Sequence, residues 1–335
     1  MFFSNGGERS VAHGGRLRAA IRCFPDAPTP FFDLSTGINP VPYPVPELPE
    51  GAFSRLPEPE NLLSLQSAAA EAYLVDDPSM VAAAPGTQNL IEMLPRLIPP
   101  GPVMVLSPTY GEHAPAWVRA GHQVTLLDKF EDLKSAMTAV LCNPNNPDGR
   151  RLEPTMLVEL AKHLAAKGGR LIVDEAFAEF GEFRISVAQY LPQDGLIVLR
   201  SFGKAYGLAG LRLGFALASP DIAGVIRAAL GPWPVSGPAI AIGAVALADA
   251  KWREAAGKRL KADCNRLDRL LTGAGFRVAG GTSLFRLASG AHAAETWLRL
   301  CRAGVLVRSF EEHPDWLRFG LPGTEAEWRR LESVL

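Results

Sequence analysis

The sequence predicts an α/β protein: a large domain built on a mainly parallel sheet flanked by helices, followed by a smaller α+β C-terminal domain. Three observations carry this. Short, continuous apolar runs recur from about residue 60, as strands covered on both faces require; helical segments separate several of them; and after Pro234 the texture changes to one long helical stretch followed by short strands. A chain of 335 residues exceeds what one small core usually holds, so two domains are expected. The expected boundaries are 1–59 for an N-terminal arm and proline-rich segment, 60–234 for the large domain and 235–335 for the small one.

Residues 29–59 are dense in proline, including Asn39-Pro40-Val41-Pro42-Tyr43-Pro44-Val45-Pro46, so this stretch is expected to be extended, as an arm, a linker or both. Helices are expected over 62–73 and over 88–97, the second opening after Gly86-Thr87. Strands follow over 103–106, 124–127, 139–141, 171–173, 196–199 and 213–217, with a helix over 154–166 among them. The apolar run 237–248 reads as a buried helix started by Ser236 and Pro238, and the helical pattern extends over 239–271. Strands over 276–278 and 283–287, a helix over 293–303, strands over 305–308 and 316–319 and a last helix from Glu325 complete the pattern.

Hydrophobic residues at 47% and charged residues at 21% suit an ordinary globular chain. With 34 basic against 35 acidic residues, the net charge of −1 gives no electrostatic case for nucleic acid or an anionic membrane. Cys23, Cys142, Cys264 and Cys301 lie far apart without a C-x-x-C pair, so reduced thiols, a cytoplasmic location and no metal site are expected. The first residues, Met1 to Gly7, lack the cationic start and apolar stretch of a signal peptide. The run 237–248 falls short of the ~20 residues that span a bilayer.

The chemistry concentrates in Ser201-Phe202-Gly203-Lys204-Ala205-Tyr206-Gly207-Leu208-Ala209-Gly210-Leu211-Arg212, which follows the strand end Val173-Asp174-Glu175. A lysine among small residues, between a hydroxyl and an arginine, suits a carbonyl cofactor that bears a phosphate and is held covalently on the amine. An upstream aspartate suits a protonated ring nitrogen, which keeps the ring an electron sink. That combination describes pyridoxal 5'-phosphate, with Lys204 and Asp174 in those two roles. Ser201 and Arg212 could supply a hydroxyl and a cation to its phosphate. Three further segments extend the set. Gly86-Thr87-Gln88 opens a helix whose free N–H groups suit a phosphate. Tyr110, following a strand, offers a ring on which a pyridine could stack, and the Asn143-to-Gly149 turn offers an asparagine to a ring oxygen. Taken singly, a core tyrosine or a plain turn explains the last two equally well.

Taken together and in order, Gly86-Thr87, Tyr110, Asn146, Asp174, Ser201, Lys204 and Arg212 resemble the fold-type I pyridoxal-phosphate enzymes of the class I/II aminotransferase superfamily, over nearly the whole chain. The resemblance implies that Gly86, Thr87, Gln88, Ser201 and Arg212 hold the phosphate, Tyr110 stacks on the ring, Asn146 binds its hydroxyl, Asp174 its nitrogen, and Lys204 its carbonyl carbon. Lys204, Asp174 and Tyr110 are thereby the expected catalytic residues. The superfamily commonly has a tyrosine where this chain has Phe177, and another where it has Leu56, so those two contacts are not carried over.

Histidinol-phosphate aminotransferases share the Asn-Asn-Pro turn and the Ser-x-x-Lys segment. At the N-terminal end, Ala12-His13-Gly14-Gly15 with Asp33-Leu34-Ser35-Thr36-Gly37-Ile38-Asn39-Pro40 resembles instead the threonine-phosphate decarboxylases of cobalamin biosynthesis, as do Asp174 to Phe177 and Trp316 to Pro322. This implies a phosphorylated amino acid, L-threonine O-3-phosphate, as substrate. Arg318 would pair with its carboxylate, and Arg308, His13 and Asn39 would hold its phosphate. The aminotransferase activity and serine phosphate as substrate stay open. An effector-sensing regulator on the same fold is disfavoured, because no basic helix-turn-helix segment precedes it. The resemblance also implies a homodimer, and sequence leaves open which chain supplies His13 or Asn39.

Overall fold

The structure, a computed structural model, describes residues 14–180 and 185–335. Among these, the strands are β1 (Phe32–Leu34), β2 (Val81–Ala84), β3 (Pro102–Leu106), β4 (Gln123–Leu127), β5 (Thr138–Cys142), β6 (Arg170–Asp174), β7 (Leu196–Ser201), β8 (Gly214–Ala218), β9 (Arg277–Thr282), β10 (Phe285–Ser289), β11 (Val305–Ser309) and β12 (Trp316–Gly320). The helices are α1 (Leu17–Cys23), α2 (Pro59–Tyr73), α3 (Thr87–Leu97), α4 (His113–Arg119), α5 (Pro154–Ala165), α6 (Phe202–Ala205), α7 (Pro220–Leu230), α8 (Gly237–Ala248), α9 (Ala250–Gly273), α10 (Ala293–Arg302) and α11 (Glu325–Val334). The chain forms two compact units: a larger one of residues 42–146 and 150–257, and a smaller one of residues 1–41, 147–149 and 258–335.

The larger unit is a seven-stranded sheet in the order β2-β8-β7-β6-β5-β3-β4. Strands β7, β6, β5, β3 and β4 run parallel, and β8 runs antiparallel to both β7 and β2. The apolar runs are continuous because both faces are covered. Leu141, Val173 and Val198 enter one core with Leu65 of α2, Leu157 and Leu164 of α5 and Leu247 of α8. Their neighbours Val140, Ile172 and Ile197 enter the other, with Leu90 and Leu94 of α3, Trp117 of α4 and Ile226 of α7. Successive side chains on a strand point to opposite faces, so a strand buried on both has no polar position to spare.

The expected strands and helices are present; α1, α4, α6 and α7 add to them, and three further differences stand out. Val81-Ala82-Ala83-Ala84 forms a fully buried strand; alanine has little strand preference, and nothing local marks it. The proline-rich stretch contains β1, which pairs in parallel with β11. The helical pattern over 239–271 is two helices, not one. Asp249 leaves helical geometry between them and its Oδ1 accepts from the Trp252 N–H at 2.9 Å, an N-cap that starts α9. Ser236 caps α8 as its sequence suggests, accepting from the Ala239 N–H.

A buried ionic network joins the ends of β6 and β7. Arg200 Nη1 donates to Glu175 Oε2 at 2.9 Å and Nη2 to Glu179 Oε2 at 2.8 Å, while its guanidinium lies over the Tyr73 ring at 4.5 Å. Glu175 also accepts from the Val187 N–H and the Ser186 hydroxyl, and Tyr206 donates to Glu179 at 3.3 Å. Tyr206 is stacked between Phe202 and Trp252. The network therefore ties the strand that ends in Asp174 to the segment that carries Lys204.

The smaller unit is a five-stranded sheet in the order β1-β11-β12-β10-β9, antiparallel except at β1. Helix α10 packs on β11, its Trp297 Nε1–H donating to the Val307 carbonyl at 3.1 Å. Thr324 and Glu327 form a capping box that opens α11.

Replacing Arg200 with methionine leaves Glu175 and Glu179 buried without their counter-ion. Urea unfolding is expected to show a loss of about 3–5 kcal/mol. A loss below about 1 kcal/mol, the value of an exposed pair, would contradict this account.

Candidate active site

Parallel strands present their carboxyl ends on one edge of a sheet, and loops there gather side chains from distant parts of the chain. In the larger unit that edge is defined by register. Cys142 pairs with Asp174, Asp174 with Leu199, Ser201 with Gly214, and Gly214 with Ala84. Because β8 is antiparallel, its first residues meet the last residues of β7 and β2. The edge thus collects Gly86, Thr87 and Gln88 after β2, Tyr110 after β3, Asn146 after β5, Asp174 on β6, Ser201 and Lys204 at the end of β7, and Arg212 ahead of β8. All nine cofactor residues expected from sequence lie there.

The anion cradle is built by what is absent. Gly86 has φ +86°, and a Cβ there would lie 2.8 Å from the Arg212 guanidinium. A Cβ on Gly214 would lie 2.6 Å from the Thr87 nitrogen. Glycine at both positions lets β8 and Arg212 close onto the first turn of α3, whose leading N–H groups have no intrahelical acceptor. Arg212 itself has φ +55°, a conformation that side chains seldom adopt. This turn of backbone, the Thr87 hydroxyl and the Arg212 cation suit a phosphate.

Asp174 is buried, and its Oδ1 accepts from the Ala176 N–H at 3.0 Å. His113, equally buried, meets its Oδ2 through Nε2 at 3.0 Å. Burial pushes the carboxyl up, but the His113 hydrogen bond and charge, with Lys204 nearby, outweigh it and hold Asp174 below the usual carboxylate range. Burial pushes His113 down; Cys142 and Asp174 overcome that and raise it to about 10. The ligand atoms of His113, Cys142 and Asp174 lie within 4.8 Å of one another.

Lys204 Nζ donates to Ser201 Oγ at a long 3.4 Å and lies 5.4 Å from the centre of the Phe177 ring. Tyr110 donates to Gln88 Oε1 at 3.0 Å, and Gln88 Nε2 donates to Glu92 at 3.3 Å. The Gln88 side chain therefore orients Tyr110, leaving its backbone N–H to the cradle. Burial, with the Glu112 and Asp174 charges, raises the Tyr110 hydroxyl to about 12. In the turn after β5, Asn143 braces Leu152 through both ends of its amide, and Asn145 bonds the Pro108 carbonyl and Thr109. Asn146 follows them in the same turn.

In the smaller unit Arg308 and Arg318 are directly opposite on β11 and β12. Like charges opposed on one sheet face destabilise it, and an anion between them would offset that cost. Arg318 is buried, donates from Nη2 to the Ser35 carbonyl at 3.0 Å, and lies over Phe285. Burial lowers the Arg308 guanidinium; Glu311 opposes this shift and the Arg16 charge adds to it. Asn39 belongs to the same unit, on the segment that follows β1. A Cβ on Gly320 would strike the Thr36 carbonyl, so glycine lets this segment lie on β12. His13 lies outside the described residues.

The family model for aminotransferase class I and II matches residues 33–335. The chain belongs to that family. It is similar to a protein from Pseudomonas aeruginosa named threonine-phosphate decarboxylase, at 42% identity over 328 residues and 97% of each chain. A protein of the same name from a Sinorhizobium species is 42% identical over 332 residues, again 97% of each. In fold it is similar to the histidinol-phosphate aminotransferase of Sinorhizobium meliloti, solved in complex with pyridoxal-5'-phosphate, with a TM-score of 0.81, 20% identity and 97% of each chain covered.

Within this family member, sequence reasoning missed His113, and with it the Arg200 network. A histidine three residues after Tyr110 has no motif around it; only the packing of α4 against the sheet shows that it reaches Asp174.

The His113–Asp174 pair carries a signed pH dependence. The raised histidine contributes fully below its unfolded value of about 6.5 and loses that contribution as pH climbs toward about 10. The lowered carboxyl contributes above about 3.9 and loses that as pH falls through its folded value. Unfolding stability measured from pH 6 to 10 is therefore expected to decline less steeply in His113→Gln than in the parent. Equal slopes would show that the histidine is not held charged.

Proposed function

We propose that the protein is a pyridoxal 5'-phosphate-dependent carboxy-lyase that converts L-threonine O-3-phosphate to (R)-1-aminopropan-2-yl phosphate and carbon dioxide, a step of cobalamin biosynthesis. The observation that carries this reading is the 42% identity over 97% of both chains to relatives of that name. At 20% identity, the likeness to a solved aminotransferase speaks to fold alone.

The larger unit fits the cofactor. A Cβ at Gly86 or Gly214 would fill the cradle, Arg212 supplies its cation, and a buried aspartate is held charged where a protonated ring nitrogen would need it. Gly86, Thr87, Gln88, Ser201 and Arg212 would hold the phosphate, Tyr110 the ring face and Asn146 the ring oxygen. When bound, the cofactor supplies a carbonyl for the substrate amine and a cationic ring that accepts the electron pair left by the departing carboxylate.

The chain's own residues do the rest. Asp174, kept ionised by His113, would hold a proton on the ring nitrogen. Lys204 would anchor the cofactor, and its amine is the group that can give a proton to the substrate Cα. Phe177 presents an apolar ring to its ammonium and offers no competing hydroxyl. Arg318 takes the substrate carboxylate and Arg308, with His13 and Asn39, its phosphate, which orients the bond that breaks.

Purified protein with pyridoxal phosphate and L-threonine O-3-phosphate is expected to release carbon dioxide without any 2-oxo acid, and Lys204→Ala to lose about a thousandfold in rate together with the visible absorbance of the bound cofactor. Amino transfer to 2-oxoglutarate without carbon dioxide would establish the histidinol-phosphate-type aminotransferase reading instead. Serine phosphate lacks one methyl group, worth about 1–3 kcal/mol, and is expected to react more slowly.

A homodimer is part of the same reading. Phe53 at 84% and Leu56 at 63% exposure, with Leu63 and Trp233, leave large apolar side chains in water on the larger unit. Sedimentation velocity is expected to give a two-chain mass, shifted toward one chain by Phe53→Asp; a single-chain parent would reject it. Among the described residues no helix is long and apolar enough to cross a membrane, and the reading includes a cytoplasmic location.

A further inference from the structure

We propose that Arg259 is a positioning residue that fixes which end of the Asn39 amide is offered to the substrate's phosphate. The inference rests on the reading of Asn39 as a phosphate contact, and it adds a residue that the motif does not contain.

Asn39 is 2% exposed. Its Oδ1 accepts from the Val41 backbone N–H at 3.1 Å and from Arg259 Nη2 at 3.2 Å. Both partners are donors only, and an amide NH2 has no lone pair with which to accept from them. Turning the amide by half a rotation would set its N–H groups against two others in a buried place, leaving donors unsatisfied. The oxygen is therefore turned toward these two donors, and the NH2 is the opposite end of the amide. An anion needs that end, since an amide oxygen turned toward a phosphate would repel it.

The Val41 contact is local, two residues along the chain, and alone would let the segment turn as a unit. Arg259 comes from α9, 220 positions away, so it ties the amide to a rigid element. The backbone around Asn39 is held independently: Gly320 admits Thr36 against β12, Arg318 bonds the Ser35 carbonyl at 3.0 Å, and Pro40 lies against Gly323. Arg259 Nε is buried with no hydrogen-bond partner among the described residues. Asp263, one turn further along α9, is raised by burial and drawn back down by Arg259 and Arg266. The guanidinium thus has a nearby carboxylate and is not saturated by it.

Steady-state kinetics with O-phospho-L-threonine, and the inhibition constant of inorganic phosphate, test the proposal on the holoenzyme. Arg259→Leu is expected to raise KM and the phosphate inhibition constant about tenfold, the value of one hydrogen bond to a charged group, with the loss falling on KM rather than kcat. Arg259→Lys, which keeps one donor within reach, is expected to recover most of it. Asn39→Asp keeps acceptors for Val41 and Arg259 but replaces the donating end, so it is expected to bind phosphate at least as poorly as Asn39→Ala. The Arg259→Leu/Asn39→Ala pair is expected to be no worse than Asn39→Ala alone, because Arg259 acts through Asn39. Additive losses, or an Arg259→Leu enzyme that binds like the parent while Asn39→Ala does not, would overturn the positioning role and leave Asn39 as a contact. An Asn39→Ala enzyme with unchanged KM and phosphate inhibition would overturn the contact itself, and the role of Arg259 with it.

Discussion

Asp174 sits buried at the carboxyl end of an inner strand, where a carboxylate loses several kcal/mol of hydration and would ordinarily take up a proton. Its charge survives because His113 lies 3.0 Å away, buried with it, and because the Ala176 N–H points at its other oxygen. Much of the larger unit answers to that requirement. Helix α4 begins at His113, β6 is flanked by β5 and β7, and the chain turns sharply after Asp174 so that its backbone can donate. A fixed negative charge in a protein interior needs this much structure.

The two buried arginine settings show opposite uses of one side chain. Arg200 is enclosed by Glu175, Glu179 and the Tyr73 ring, so its charge is consumed within the fold, where it spaces the strand bearing Asp174 against the segment bearing Lys204. Arg308 and Arg318 are set across from each other on neighbouring strands. Opposed cations cost stability, and a bound anion would offset that cost. A substrate with a carboxylate and a phosphate supplies two anions for that purpose, which is the sense in which the smaller unit suits the proposed chemistry.

Much of this was legible in the sequence. The parallel strands of the larger sheet are continuous apolar runs because both faces are covered, and that alone locates β3, β5, β6 and β7. Lys204, Asp174, Gly86 and Arg212 stood out because cofactor chemistry demands particular residue types in a particular order, and sheet register gathers them at one edge. What escaped was whatever lacks a local signature. Strand β2 is mostly alanine, the break at Asp249 hides inside an unbroken helical pattern, and His113 sits on a short helix with nothing near it in sequence to declare a role. Gln88, expected at the phosphate, turns its side chain to Tyr110 and Glu92, which leaves its backbone N–H for that role.

From the sequence alone came the fold class, the family resemblance and the residues on which the proposed function rests, because burial periodicity and reactive residue types are properties of short segments. Tertiary structure alone decided the protonation of Asp174, the orientation of Tyr110 and Asn39, and the opposition of Arg308 to Arg318. Each of these depends on a partner brought from another element by sheet register or helix packing. The energy of a charge or an amide is set by what surrounds it in space, and the neighbours that matter here come from other elements, from Arg308 and Arg318 on adjoining strands to Asn39 and Arg259 far apart along the chain.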